Sequence, residues 1–437
     1  MDPDHESSNE LSWNRLFEAL PILKNVEKDG CYEISAEIIR QYAKREPRLM
    51  VTFPTAASVP SILKNHDLGV LPIKSRGHYL IGHFDIFVST IPGKDVDTEI
   101  HKLSIDNNYD TLEVDNIARE TSAILTAFNY GALAEICGCD YNDLHITNYG
   151  KAFSPAFSFI IRNCCGGADY EISVNRSQIE MDGVFESSDS VINIEAKIGS
   201  RDDFVGRQLF YPFHYLRQYT EKNIVNVFLT YSGGSIFTHI YSIEDPSCYN
   251  SFKLEKICRF DLFEEISINE IQDVVYFAQI AKEPEVPFPQ ANSFQKVLDC
   301  LDILQRCNYL TSSALATELE LEPRQGSYYG DACTYLGLTT KEKYGASYKY
   351  NLSNEGKTIL QMKYKDRMLR LVELIARHDV FNYFLRQYLE TAKPPTKEQI
   401  ADWLAHNTMK GNEMSTVNRR ASTVLKWINW VIELAGN

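Results

Sequence analysis

A chain of 437 residues with 44% hydrophobic content can bury several cores, and two or three domains are expected. The first residues, MDPDHESSNELS, have neither a basic start nor an apolar run, and no segment reaches the roughly 18 apolar residues that span a bilayer, so a cytoplasmic location is expected, without secretion or membrane partners. The formal charge of −15 speaks against a nucleic-acid partner until its distribution is read: residues 363–437 hold 12 Lys+Arg against 8 Asp+Glu, a basic end on an acidic body.

Residues 1–110 read as an α/β region with an accessory, scaffolding or DNA-contacting role. Helices are expected around Trp13–Lys24 and Ser35–Lys44, and short strands at Leu71–Ile73 and Gly77–Phe84. Val114–Cys137 has helical periodicity, with Ile117, Ile124, Leu125, Phe128 and Leu133 apolar and Glu120 among them. Phe153–Ile161 and Tyr170–Val174 read as strands. In Gln178–Phe185 polar and apolar residues alternate, so Gln178, Glu180 and Asp182 share one face of a strand. Ser187–Ser190 is a turn signal, and in Val191–Ile198 the same period puts Asn193, Glu195 and Lys197 together. Paired as a hairpin, these strands bring Asp182 and Glu195 close. Two carboxylates and a lysine at half-buried positions are destabilising unless a cation or substrate uses them. Mg²⁺ favours carboxylate oxygens, and Lys197 could then orient or deprotonate a water against a phosphodiester. An amphipathic hairpin with a surface Glu–Lys pair shows the same alternation. A helix over Asp202–Tyr219 and strands at Ile224–Tyr231 and Ile236–Ser242 complete a region expected to span 111–282.

The proline-rich segment Glu283–Pro289 marks a boundary. Beyond it, 290–362 reads as helices at Phe294–Cys307, Ser312–Glu320 and Gln325–Leu336, a polar hairpin over Thr339–Tyr350 and a helix from Ser353. The last region, 363–437, reads as helices at Asp366–Ala376, Asn382–Leu389, through Leu404, and at Ser415–Trp430. On the final helix Val417, Ala421, Val424, Ile428 and Val431 form an apolar stripe that Asn418, Arg419 and Lys426 avoid, with Arg420 at its edge. Ten scattered cysteines without a Cys-X-X-Cys fit reduced thiols. Gly356-Lys357-Thr358 lacks the leading glycine of a phosphate loop, which falls on Asn351, so no ATP site is expected.

The stretch around the hairpin resembles the PD-(D/E)XK nuclease superfamily over about residues 110–245. Asp182 matches the first acid, Glu195-Ala196-Lys197 matches the triplet, and Met181 stands where the family name has proline. The resemblance implies an α/β fold, a mixed sheet flanked by helices. It also implies Mg²⁺, replaceable by Mn²⁺, on Asp182, Glu195 and the Ala196 carbonyl, with Lys197 on the water. Glu120 is then a candidate auxiliary acid, and Gln208 and Tyr215 are supporting residues. Three helices and a hairpin after residue 290 are the order of a winged helix-turn-helix, implying mostly α domains at 290–362 and 363–437. Arg324, Gln325, Ser327, Tyr328 and Tyr329 lie at the start of its third helix, which normally reaches base edges. Arg324 suits guanine and Gln325 adenine; winged helices also serve as protein-interaction modules. The last helix resembles a second recognition helix with Asn418, Arg419 and Arg420 set for DNA, and equally a structural helix with solvated basic residues.

Together these pieces resemble a type II restriction endonuclease: Mg²⁺-dependent, ATP-independent hydrolysis of double-stranded DNA, with a homodimer as the simplest way to cut both strands. Two other classes share features with it. One is a repair or modification-dependent nuclease, and the other a non-catalytic DNA-binding regulator.

Overall fold

Proline lacks the N–H that an interior helical residue donates, and Pro21 divides the helix expected at Trp13–Lys24 into α1 (His5–Ala19) and α2 (Ile22–Asp29). The computed structural model describes all residues except 1–4, 94–95, 104–108, 110, 113, 115–116, 263–265, 287, 308, 346, 410–412 and 436–437. Two units result, one of residues 1–231 and 235–262, the other of 232–234 and 263–437. The boundary expected at 110/111 falls inside the first, residue 110 itself lying outside the described residues. The boundary expected at 362/363 falls inside the second.

The first unit continues with β1 (Cys31–Ser35), α3 (Ala36–Ala43), α4 (Pro47–Val51), α5 (Ser61–Lys64), β2 (Gly69–Lys74) and β3 (His78–Gly82). These strands form an antiparallel sheet in the order β1-β3-β2. Ser35 caps α3, its hydroxyl accepting the Ile38 N–H. Next come β4 (Phe87–Ser89), β5 (Thr98–Lys102), α6 (Glu120–Asn129), α7 (Ala132–Cys137), β6 (His145–Phe153), β7 (Phe157–Ile161) and β8 (Tyr170–Val174). Then follow β9 (Gln178–Glu186), β10 (Ser190–Ile198), β11 (Asp203–Val205), α8 (Arg207–Leu216), β12 (Asn223–Ser232), β13 (Ser235–Ile243) and β14 (Phe252–Asp261). Seven of them make a mixed sheet, β5-β14-β13-β12-β10-β9-β6, in which β10 runs parallel to β12 and β5 parallel to β14.

Three expectations are corrected here. The helix expected over 114–137 is two helices separated by Gly131, which sits at φ +83°, and residues 115 and 116 lie outside the described residues. The strand expected at Phe153–Ile161 is broken at Ser154-Pro155. The sheet neighbour of β9 is β6, while β7 and β8 pair only with each other as a named sheet. The helix expected from Asp202 begins at Arg207, because Asp203–Val205 pairs antiparallel with β4 and the Asp203 carboxylate accepts the Ala56 N–H at 2.8 Å.

The amino-terminal sheet buttresses the central one. The Pro72 carbonyl accepts hydrogen bonds from Ser177 Oγ at 3.3 Å and from Tyr211 OH of α8 at 3.2 Å. Leu71 and Ile73 share a core with Phe159, Ile172 and Phe210, and Arg48 pairs with Glu180 of β9 at 3.0 Å.

The second unit holds α9 (Ile268–Phe277), α10 (Phe294–Arg306), β15 (Leu310–Thr311), α11 (Ser312–Glu318), α12 (Pro323–Tyr335), β16 (Thr339–Tyr344) and β17 (Ser347–Leu352). It ends with α13 (Asn354–Gln361), α14 (Tyr364–Ala376), α15 (Asp379–Thr391), α16 (Lys397–His406) and α17 (Met414–Glu433). Polar N-caps start many of these helices where the sequence placed them: Ser293, Thr311, Ser353 and Thr396 each accept an N–H of the first turn. One hydrophobic core runs from Ile266 to Ile432, so the helices expected as two domains share it. Within it α11 and α12 approach closely at Gly326, where a Cβ would lie 1.9 Å from the Ser312 carbonyl oxygen.

Candidate active site

Strands β9 and β10 pair from Glu186↔Val191 to Gly183↔Ile194. Beyond that point the Asp182 carboxylate replaces the backbone ladder, accepting the Ala196 N–H at 2.9 Å. Strand β10 stays paired with β12 over its whole length, so only its β9 side opens. Both its faces are covered. Asn193 donates to the Leu209 carbonyl of α8 at 3.1 Å, while Gly183, on the other face, lies against Ile124 of α6. By the two-residue period, Glu195 and Lys197 follow Asn193 on the α8 face, and Glu195 is 4% exposed.

The polar groups converge on Lys197. Its Nζ donates to Glu195 Oε1 at 2.6 Å and to the Ala196 carbonyl at 2.8 Å, and lies 3.1 Å from Glu120 Oε1 at the start of α6. Gln208 Nε2 donates to the same Glu195 oxygen. Burial pushes the Glu195 carboxyl up to about 7, with Asp182 and Glu120 acting in the same direction and Lys197 against them. Burial works against the Lys197 charge too, but Glu195, Glu120 and Asp182 outweigh it and hold the amine above its ordinary range. In this arrangement Lys197 is an ammonium and a donor.

These residues fit a hard dication. The donors are oxygens, and three carboxylates against one ammonium leave a charge of −2 when all are ionised. Asp182, Glu195 and the Ala196 carbonyl are the groups that would hold it; the Lys197 ammonium bridges two of those three. The structure therefore brings together Asp182, Glu195, Ala196, Lys197, Gln208 and Glu120. Tyr215 packs instead with the Met181, Val184 and Phe213 cluster, its ring 5.2 Å from that of Tyr219. Sequence reasoning missed Asn226, whose Oδ1 accepts from Asn193 Nδ2 at 3.0 Å. This buried pair fixes Leu209, and with it the neighbouring Gln208. The available signal was one amide inside the apolar run Ile224-Val-Asn-Val-Phe228.

The expected DNA-reading residues divide by helix phase. Arg324 is exposed in the first turn of α12 and Tyr328 is half-buried. Tyr329 is corrected to a core residue, 7% exposed among the apolar side chains of the second unit. Gln325 completes a capping box, its Oε1 accepting the Glu322 N–H at 3.2 Å, and Ser327 Oγ turns back to the Arg324 carbonyl at 3.0 Å. On α17, Asn418 and Arg419 are exposed. Arg420 is half-buried and donates to Gln290 Oε1 at 3.1 Å; burial, with Arg419 beside it, lowers its pKa, while Tyr328 acts the other way.

No helix among the described residues is long and apolar enough to cross a membrane. No curated protein and no solved structure matches the chain. Three family models do, each described as a domain of unknown function: DUF6996 over residues 10–81, DUF6997 over 82–261 and DUF7226 over 296–436. The candidate site lies wholly within the second of these matches.

Proposed function

We propose that the chain is a metal-dependent endonuclease of the type II restriction kind, hydrolysing phosphodiester bonds of double-stranded DNA. One observation carries this reading: the Lys197 ammonium, held by Glu195 and Glu120, beside an Asp182 that caps Ala196 where the β9–β10 hairpin opens. The order α6-β6-β9-β10-α8-β12 supports a PD-(D/E)XK core, and α10-β15-α11-α12-β16-β17 supports a winged helix-turn-helix.

Bound Mg²⁺ or Mn²⁺ would supply a polarised water and offset charge on the scissile phosphate. Asp182, Glu195 and the Ala196 carbonyl are its holders in this reading. Gln208 keeps Glu195 in one rotamer, and Glu120 draws Lys197 to the same place from α6. Held by Glu195 and Glu120, Lys197 would orient a water and face phosphate oxygens with positive charge. Exposed Arg324, Asn418 and Arg419 would meet DNA, and two copies of the chain would cut its two strands.

Digestion of methylated and unmethylated plasmid with Mg²⁺, followed by sequencing of the ends, tests the reading. Defined ends from the wild type and none from Asp182→Ala or Lys197→Ala are expected. Undiminished cutting by either variant places the active site elsewhere. Cutting of methylated DNA alone makes this a modification-dependent nuclease, and binding without cutting makes it a regulator.

A further inference from the structure

At the other edge of the seven-stranded sheet, β5 and β14 put three unlike ligand side chains on one face. Their parallel register sets Glu99 beside Cys258 and His101 beside Phe260, so all four project from the same side. The donor atoms of Glu99, His101 and Cys258 lie within 4.8 Å of one another. His101 is oriented from behind. Its ring stacks on Phe260 with centroids 5.0 Å apart, and its Nδ1 lies 2.7 Å from Glu135 Oε1 of α7. A carboxylate at that distance accepts the Nδ1 proton, which makes Nε2 the nitrogen that would face a metal. That nitrogen is buried and has no hydrogen-bond partner. It stands 3.5 Å from Glu99 Oε2, close to the roughly 3.3–3.4 Å that separates two ligands on a tetrahedral ion with bonds of about 2.0–2.1 Å.

We propose that Glu99, His101 and Cys258 form a zinc-type metal site, with Glu135 orienting the imidazole and a fourth position left to water. Without the ion its place is taken by Lys256, whose ammonium lies 2.6 Å from Glu99 Oε2. That side chain is 40% exposed and can swing into water, so the ion pair is a weak competitor for a dication bonded to nitrogen, sulfur and oxygen at once. On binding, the Cys258 S–H bond breaks, its electron pair goes to the metal and its proton to solvent. Imidazole and thiolate are borderline-to-soft ligands, so Mg²⁺ does not occupy the site. Its effect is structural. It ties β5, which among the described residues pairs with β14 alone, both to that strand and, through Glu135, to α7.

The test is a Co²⁺ titration of the chelator-stripped chain in excess Mg²⁺, following the thiolate-to-cobalt absorption in the near ultraviolet. The carboxylate site at Lys197 has no thiolate and stays silent. One saturating site is expected. Its band is absent in Cys258→Ser and His101→Ala, kept when Cys164 and Cys165 are both serine, and weakened about tenfold in affinity by Glu135→Gln. Lys256→Met should bind Co²⁺ more tightly, a gain that structural damage does not produce, and Zn²⁺ should displace Co²⁺ and raise the melting temperature. Absence of a saturating thiolate band overturns the proposal. So does a band that survives Cys258→Ser and is lost with Cys164 and Cys165, which would put the ion on the His83–Cys164–Cys165 cluster. Should Cys258→Ser unfold, the surface variants decide: unchanged affinity in both Glu99→Gln and Lys256→Met is equally fatal.

Discussion

Asp182 has two duties that substitution can separate. Its carboxylate satisfies the N–H of Ala196, a residue with no exposure, and it belongs to the oxygen set proposed to hold metal. Asp182→Ala leaves that N–H buried and unpaired, which should lower stability by about 1–3 kcal/mol. Asp182→Asn keeps an oxygen acceptor and should melt close to the wild type. Both should abolish cleavage, as should Glu195→Ala and Lys197→Ala, while specific DNA affinity stays within about tenfold, roughly 1.4 kcal/mol. Melting curves beside cleavage and binding assays check the pair; equal melting temperatures for Asp182→Ala and the wild type would remove the capping duty. These residues were legible because a strand has a period of two and the hairpin has one short turn, which together fix who faces whom. Tyr329 was not. Its position near a helix start suggested a base contact, but α12 begins at Pro323, and the phase that buries Gly326 against α11 buries Tyr329 three residues on.

Among the elements, α12 gives the sharpest tests. Gly326→Ala would put a Cβ 1.9 Å from the Ser312 carbonyl, a backbone atom that cannot step aside. Overpacking of this kind should destabilise by about 1–3 kcal/mol or more, read as a fall in the denaturant midpoint with little change of slope. If α12 reads DNA, Arg324→Ala should weaken specific binding by about 1–3 kcal/mol and relax the preference at one base pair. Arg419→Ala should weaken binding to all sequences alike and reduce the salt slope by about one unit. Competition against scrambled duplexes at two salt concentrations separates these outcomes. Equal losses of specific and non-specific affinity in Arg324→Ala would mean that α12 positions DNA without reading it. Helix positions in this half were legible from Ser, Thr and Pro at their starts. Strands β5 and β14 were not, because their partners are some 160 residues apart and β5 is too exposed to show an apolar alternation.

On the scale of the whole chain, buried histidines give acid sensitivity. Burial lowers the pKa of His239 from its ordinary 6.5 to about 4, its hydrogen bond to the Phe228 carbonyl only partly opposing this. The folded state favours the neutral ring, so its contribution is fully present above pH 6.5 and is lost as pH falls from there through 4. The loss amounts to at most about 3 kcal/mol. His214, lowered to about 4 by the same cause, acts in the same direction. Stability measured by denaturant between pH 7 and 4 should therefore decline from near pH 6.5, and more gently in His239→Gln; identical profiles would remove His239 from the account.

The family matches meet at 81/82, between the last two residues of β3, yet the folded chain has no seam there. Pro72 lies on one side of that joint, and Ser177 and Tyr211, which donate to its carbonyl, lie on the other. Tyr211 belongs to α8, the helix that also carries Gln208. Recombination that exchanged residues 10–81 for an unrelated segment would thus take away the acceptor of a buried tyrosine and loosen the helix whose Gln208 holds the Glu195 carboxylate. A chain in which the second segment occurs without the first should therefore carry another residue, or another acceptor, at the position of Tyr211.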